Sequence, residues 1–179
     1  MATLDDLYRV EGQAELIAGR IVRSMPVGPF VNGITGRIFR SLADHADRIG
    51  RGFAGTATLG FAVPELSSGR QSFSPDVSYY VGPLPANRMR FVEGPPTLAV
   101  EVRNEMDYGP PAEAEIAAKR ADYFDAGTLV VWDVDPVAET ITAYRAASPD
   151  LPVIFTRGRV AEAEPAAPRW RVEVDWVFR

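Results

Sequence analysis

Thr97-Leu98-Ala99-Val100-Glu101-Val102-Arg103 is the run on which the fold turns. Side chains alternate along a strand, so Leu98, Val100 and Val102 share one face, and Ala99, Glu101 and Arg103 share the other. A carboxylate therefore stands mid-strand beside a wholly apolar face. Downstream, Pro110 and Pro111 open a helix that runs to about Ala126, with Gly127 as its stop. Leu129 to Val134, the turn Asp135-Pro136, and Glu139 to Tyr144 read as strand, turn and strand, with weaker strands near Val153–Thr156 and Trp170–Val177.

Upstream, Asp76 to Val81 reads as the second central strand, joined to the first by a connection containing Pro83, Pro85, Pro95 and Pro96. Val31, Ile34, Ile38, Leu42, Ala46 and Ile49 recur at helical spacing, and Gly50 follows as a C-terminal stop. Glu15 to Arg23 predicts two short strands around a glycine turn. Gly52 to Val63 fits one strand or hairpin arm closed by Pro64, and Glu65 to Ser74 a polar loop. Helices interleaved with hairpins predict an α/β (α+β) chain built on a mixed β-sheet, and 179 residues suit a single domain over 1–179.

Composition narrows the chemistry. Without cysteine there is no disulfide framework, thiolate zinc site or cysteine nucleophile, and a lone histidine, His45, excludes a multi-histidine metal centre. No basic leader and no apolar run of membrane-spanning length is present, so a cytoplasmic protein without a membrane partner is expected. A formal charge of −5 argues against coating nucleic acid by bulk electrostatics and leaves room for a local basic groove. Of 19 basic residues 18 are arginine; the single lysine, Lys119, has not been exchanged where arginine would have served.

Asp76 follows Pro75 at a strand start, Glu101 lies 25 residues on, and Lys119 lies 18 beyond that. Lys119 sits three after Ile116 and four before Tyr123, on the helix side that packs against the sheet. Two acids and a lysine are what metal-dependent phosphodiester hydrolysis requires: oxygen ligands for a hard divalent ion, and a cation beside the attacking water or scissile phosphate. Pro-Asp is also a common strand-initiating turn, and Glu101 could simply pair with Arg103.

Glu15-Leu16-Ile17-Ala18-Gly19-Arg20-Ile21-Val22, Ser74-Pro75-Asp76-Val77, Pro95 to Val102, Lys119 with Tyr123, and Val131-Trp132-Asp133-Val134-Asp135-Pro136 together resemble the Uma family, bacterial restriction endonuclease-like proteins of the PD-(D/E)XK superfamily. The resemblance runs from about Tyr8 to Arg145 and leaves the tail uncovered. It implies a restriction-endonuclease-like core in which Asp76 and Glu101 bind Mg2+ (or Mn2+). It also implies that Lys119 supplies the lysine, because Arg103 occupies the position two after Glu101 and a guanidinium cannot exchange a proton. Glu15 matches the family's N-terminal glutamate and joins the candidate catalytic set. The implied partner is nucleic acid, most of all DNA, and the implied assembly a homodimer, for which the aromatic strands could supply an apolar interface.

Departures from the family are local: Val31 or Asn32 replaces a histidine, and Asn104-Glu105-Met106 replaces Ser-Pro-Ser after the second acid. They leave two rivals. A catalytically inactive module on the same scaffold, binding nucleic acid or protein, is favoured by net acidity and the altered loop. A glycoside hydrolase would need the two acids to flank a glycosidic bond. The remaining features have plain readings: Tyr79, Tyr80 and Trp132 as core aromatics, His45 as a surface or packed residue, Arg37, Arg40, Arg48 and Arg51 as a solvated helix face, and Asp135 as a turn residue.

Overall fold

In the computed structural model, which describes all 179 residues, the chain forms α1 (Leu4–Leu7), β1 (Ala14–Ile17), β2 (Arg20–Arg23), α2 (Pro29–Ile49), β3 (Phe53–Thr56), β4 (Phe61–Ala62), β5 (Ser72–Phe73), β6 (Val77–Tyr80) and β7 (Val92–Glu93). There follow β8 (Leu98–Val102), α3 (Pro110–Ala126), β9 (Val130–Asp135), β10 (Thr140–Arg145), β11 (Ser148–Phe155), β12 (Val160–Ala163), β13 (Ala167–Glu173) and α4 (Val174–Val177). Six strands form the main sheet in the order β11-β10-β9-β8-β6-β3. Only β8 and β9 are parallel, as the helical crossover through α3 requires; the other neighbours are antiparallel. The expected mixed sheet flanked by helices is the observed class.

The alternation of 97–103 divides the interior as read. Leu98, Val100 and Val102 join Val77, Tyr79, Trp132 and Ile141 in the larger core, under α2. Ala99 and Val131 face a smaller core with Phe61, Phe73, Tyr80 and Tyr123, on the side that carries α3. Helix α2 forms because Ile34, Ile38, Leu42 and Ala46 make one stripe, each at most 2% exposed. Pro29 pre-sets its first turn, and Gly50 ends it in the left-handed conformation at φ 63°. The helix carrying Lys119 is different. It starts and stops where the prolines and Gly127 predict, yet only Asp122 and Tyr123 of its 17 residues are buried.

Four expectations need correction. Gly52–Val63 is not one arm: β3 joins the main sheet, while β4 turns away to pair with β5 and β7. Glycine permits that departure, since a Cβ at Gly60 would stand 2.6 Å from the Phe91 ring. The Pro-rich connection accordingly holds a strand, β7. Glu65–Ser74 is not a free polar loop, for β5 lies within it and the segment is sewn to β1 through Gln71 N–H to Leu16 C=O (2.9 Å) and Leu16 N–H to Ser72 Oγ (2.8 Å). Its polar side chains are buried by pairing, which hydrophobic periodicity does not register. The expected strand Trp170–Val177 breaks at Glu173 and coils into α4. Finally, Tyr79, Tyr80 and Trp132 are at most 5% exposed inside the chain, so the strand aromatics offer no interface.

The tail that the family resemblance left uncovered completes the larger core. Trp170 stacks on Trp132 with ring centroids 4.8 Å apart, and Ala161, Ala167, Val174, Val177 and Phe178 lie in the same cluster. Burying two indoles face to face contributes several kcal/mol through area alone, with about 0.5–1.5 kcal/mol more from the ring contact.

Candidate active site

Four segments bring the sequence-predicted residues together. Asp76 immediately precedes β6, Glu101 is the fourth residue of β8, and the two strands are antiparallel neighbours with Val77 opposite Val100. This register lets Asp76 Oδ2 accept the Val102 N–H at 2.7 Å, locking the acid against the strand that carries Glu101. Helix α3 crosses above, and Lys119 Nζ lies 2.8 Å from Glu101 Oε1 and 3.0 Å from Glu15 Oε1. β1 delivers Glu15 from the far side. Asp76, Glu101, Lys119 and Glu15 are thus one constellation, and the ion-pair partner proposed for Glu101 is Lys119 rather than Arg103.

The roles open to these groups follow from which oxygens are taken. Glu15 Oε1 accepts from Lys119 and from the Ser74 N–H (2.9 Å), while Oε2 is 2.5 Å from Arg70 Nη1. Both its oxygens are engaged, so Glu15 orients Lys119 and has none left for an ion. Glu101 Oε1 accepts from Lys119 and from the Tyr123 hydroxyl at 2.5 Å. Glu101 Oε2 and Asp76 Oδ1 accept no hydrogen bond within the chain and remain available as ligands. Those two oxygens suit a hard divalent cation, which prefers carboxylates and water. No group of three or more His, Asp or Glu side chains is arranged to hold an ion alone. Waters and a substrate oxygen would have to fill most of the shell of any ion bound there, as Mg2+ favours.

Electrostatics agree. Burial, reinforced by the neighbouring Glu101 charge, pushes the Asp76 carboxyl up to about 7 against the opposing pull of the Val102 N–H and Lys119. Burial also raises Glu101, with Lys119 pulling the other way. Desolvation of Glu15 is outweighed by Lys119 and Arg70, which hold it below the usual glutamate range. Lys119 is desolvated too, but its two carboxylate partners raise it above the ordinary lysine value, so it stays protonated. Four acids, Glu15, Asp76, Glu101 and Asp122, face two cations, Arg70 and Lys119, and the raised carboxyls of Asp76 and Glu101 reflect an excess of acid that a divalent ion would offset on displacing their protons.

Sequence reading missed the support of this cluster. Arg70, 6% exposed, joins Glu15 to Asp122 of α3 (Nε to Oδ2, 2.8 Å) and so ties β1 to the helix. An arginine between Gly69 and Gln71 carries no local signal of burial. Tyr123 entered only as part of the family pattern; its hydroxyl on Glu101 is the physical content. Arg103 is bidentate to Asp133 (Nε 2.8 Å, Nη2 2.7 Å) and also grips Glu113, clamping the start of α3 to β9. Asp133 is thereby accounted for. Asp135 is a turn residue, as expected, accepting the Val137 and Ala138 N–H groups (2.9 and 3.0 Å). A cavity of about 300 Å³ opens over Glu15, Glu101, Arg103, Lys119 and Tyr123, wide enough for a small anionic group beside the lysine.

The family model described as "Putative restriction endonuclease" (Uma2) matches residues 2–175. The chain belongs to the Uma2 family. Among solved structures, the Uma2 chain is similar to "a putative nuclease belonging to DUF820" from Anabaena variabilis, with a TM-score of 0.75 and 18% identity over 99% of this chain and 98% of that one. At such identity the likeness concerns the fold alone. No curated protein matches the chain. The Uma2 match extends through the tail to residue 175, in keeping with a core that Trp170 and Val174 help to build. No helix is long and apolar enough to cross a membrane.

Proposed function

We propose that this chain is a Mg2+- or Mn2+-dependent endonuclease that hydrolyses phosphodiester bonds of nucleic acid, with DNA as its substrate, from one domain spanning residues 1–179 that assembles as a homodimer. One observation carries the reading: Asp76 Oδ1 and Glu101 Oε2, on neighbouring segments of the sheet, are uncommitted oxygens of an acid-rich cluster, with a protonated lysine beside them. A bound divalent ion would lower the pKa of a water and offset charge on the phosphate.

Each side chain then has a distinct task. Asp76, just before β6, and Glu101 on β8 would hold the ion, and the Val102 N–H and Tyr123 hydroxyl fix their carboxylates so that one oxygen of each stays free. Lys119, kept protonated by Glu15 and Glu101, places a positive charge where negative charge grows on the phosphate. Because it is held protonated, it works as an electrostatic group and not as the base. Glu15, itself held by Arg70 and the Ser74 N–H, is a positioning residue for that ammonium. A glycoside hydrolase would need Asp76 and Glu101 to flank a glycosidic bond, whereas Asp76 is held by the Val102 N–H against the very strand that carries Glu101.

Calorimetric titration of Mg2+ and Mn2+, together with cleavage assays on single-stranded and duplex DNA, tests the proposal. Heat of binding and metal-dependent cleavage by the wild type, both lost in Asp76→Ala, are expected. Binding without cleavage of any DNA or RNA would replace the enzyme with the inactive module, and absence of both would remove the metal site.

A further inference from the structure

Behind the sheet from Glu101, the last turns of α2 meet β13 around a cavity of about 400 Å³ lined by His45, Arg48, Ile49, Arg169 and Arg171. The arginines here differ from those near the carboxylate site. Arg70 and Arg103 are each committed to two acids, whereas Arg48 and Arg169 make no ion pair and Arg171 has only a loose one to Glu164 at 3.6 Å. Three guanidinium groups therefore converge on one concavity with little to neutralise them, although Asp44 and Glu173 lie in the adjoining groove with Arg40.

His45 supplies the second observation. Its side chain is 3% exposed, and its Nε2 is buried without any hydrogen-bond partner. Buried polar atoms are nearly always paired, so an orphan in the wall of a basic cavity points to a missing acceptor or bridging water. Burial first, and then Arg48 and Arg169, disfavour the charged ring, while the Pro168 carbonyl favours it. An anion between the arginines would reverse their effect and give the imidazole a partner. Planar guanidinium forks around a tetrahedral oxyanion are the recurring arrangement for phosphate.

We propose that His45, Arg48, Arg169 and Arg171 form a phosphoryl-binding site, separate from the carboxylate cluster and on the opposite face of the sheet. The group bound is either a phosphodiester of a nucleic-acid backbone or a free phosphate, and the two are told apart by experiment. The site stands whether or not the carboxylate cluster cleaves anything.

The protein's single histidine makes the test direct, because its imidazole gives one set of 1H–15N correlations. Sodium phosphate is titrated into metal-free protein at constant ionic strength, with chloride as the control. A saturable shift of the His45 resonances is expected with phosphate and not with chloride, and Arg48→Gln or Arg171→Gln should each weaken it about tenfold by removing a charge-assisted hydrogen bond. Arg169→Gly is the sharper variant. Arg169 has φ 63°, a left-handed conformation that glycine adopts freely, so this change should raise the thermal midpoint while weakening phosphate binding. Opposite signs separate a lost ligand group from a damaged fold. A short single-stranded DNA that produces the same shift, competed by phosphate, identifies the backbone as the source; a response to inorganic phosphate alone identifies the free anion. No saturable shift with either probe, or a shift indifferent to all three arginine substitutions, overturns the proposal.

Discussion

Without metal, Asp76 should make the folded chain less stable as pH rises, and Asp76→Asn should remove that dependence. Its carboxyl is raised from an ordinary value of 3.8 to about 7 in the fold. Between those limits the folded state holds a proton that the unfolded state has released, so unfolding loses ground in acid and gains it as pH climbs. The contribution is fully present below pH 3.8 and is lost as pH passes through about 7. At about 1.4 kcal/mol per unit, the shift amounts to about 4 kcal/mol as an upper bound, with half of that a reasonable expectation for a half-buried group. Asparagine keeps the oxygen that accepts the Val102 N–H and removes only the charge. Urea unfolding of both proteins in a chelator, from pH 4 to 8, isolates the effect, because titrations shared by the two cancel in the difference. The variant should gain on the wild type steadily to about pH 7 and then level off. Divalent metal at a hundredfold excess over its dissociation constant should return about 2.7 kcal/mol to the wild type and nothing to the variant. A difference that stays flat across this range would mean that Asp76 ionises normally, and the desolvated two-carboxylate site would be refuted.

Lys119→Met removes the charge between Glu15 and Glu101, so metal-dependent hydrolysis should fall by orders of magnitude; Lys119→Arg, which keeps the charge on a wider fork, should lose less, and unchanged cleavage by the methionine variant would end the lysine's catalytic role. Arg70→Met strands Glu15 and Asp122 as buried acids and should cost about 3–5 kcal/mol in denaturant unfolding, whereas a loss under 1 kcal/mol would show that water replaces the guanidinium. Trp170→Ala should cost about 3–5 kcal/mol, and a single cooperative unfolding transition should be seen for the whole chain; two transitions would divide the domain. Sedimentation at micromolar concentration should give the mass of a dimer, and a monomer at all concentrations would discard that part of the proposal.

Much of the architecture was legible because it is written in periodicity and punctuation. The stripe Ile34, Ile38, Leu42, Ala46 and the caps Gly50 and Gly127 set both long helices, and the alternation at 98–103 set the two faces of β8. Three of the four site residues came from spacing and residue type, and Glu15 from family likeness. What stayed hidden was polar burial. Arg70, Ser72 and Ser74 look like loop residues in one dimension and become interior only because Glu15, Asp122 and the edge of β1 come to meet them across more than 50 residues. The tail was opaque for a related reason. Its alanines, Trp170 and Val174 are scattered without a clear period, and their burial depends on packing over α2 and Trp132.

Helix α3 buries just two of its residues and is fastened to the sheet chiefly by charge: Arg70 to Asp122, Arg103 to Glu113 and Lys119 to Glu101. Of these, only Glu113 is half exposed and open to screening by salt; the Arg70–Asp122 pair is buried and keeps its strength. The lysine therefore rides on a helix whose seat depends on Tyr123, stacked on Phe73, and on a few charged contacts rather than on a broad apolar face. Such a chain can mislay its chemistry while every strand of its sheet stays in register.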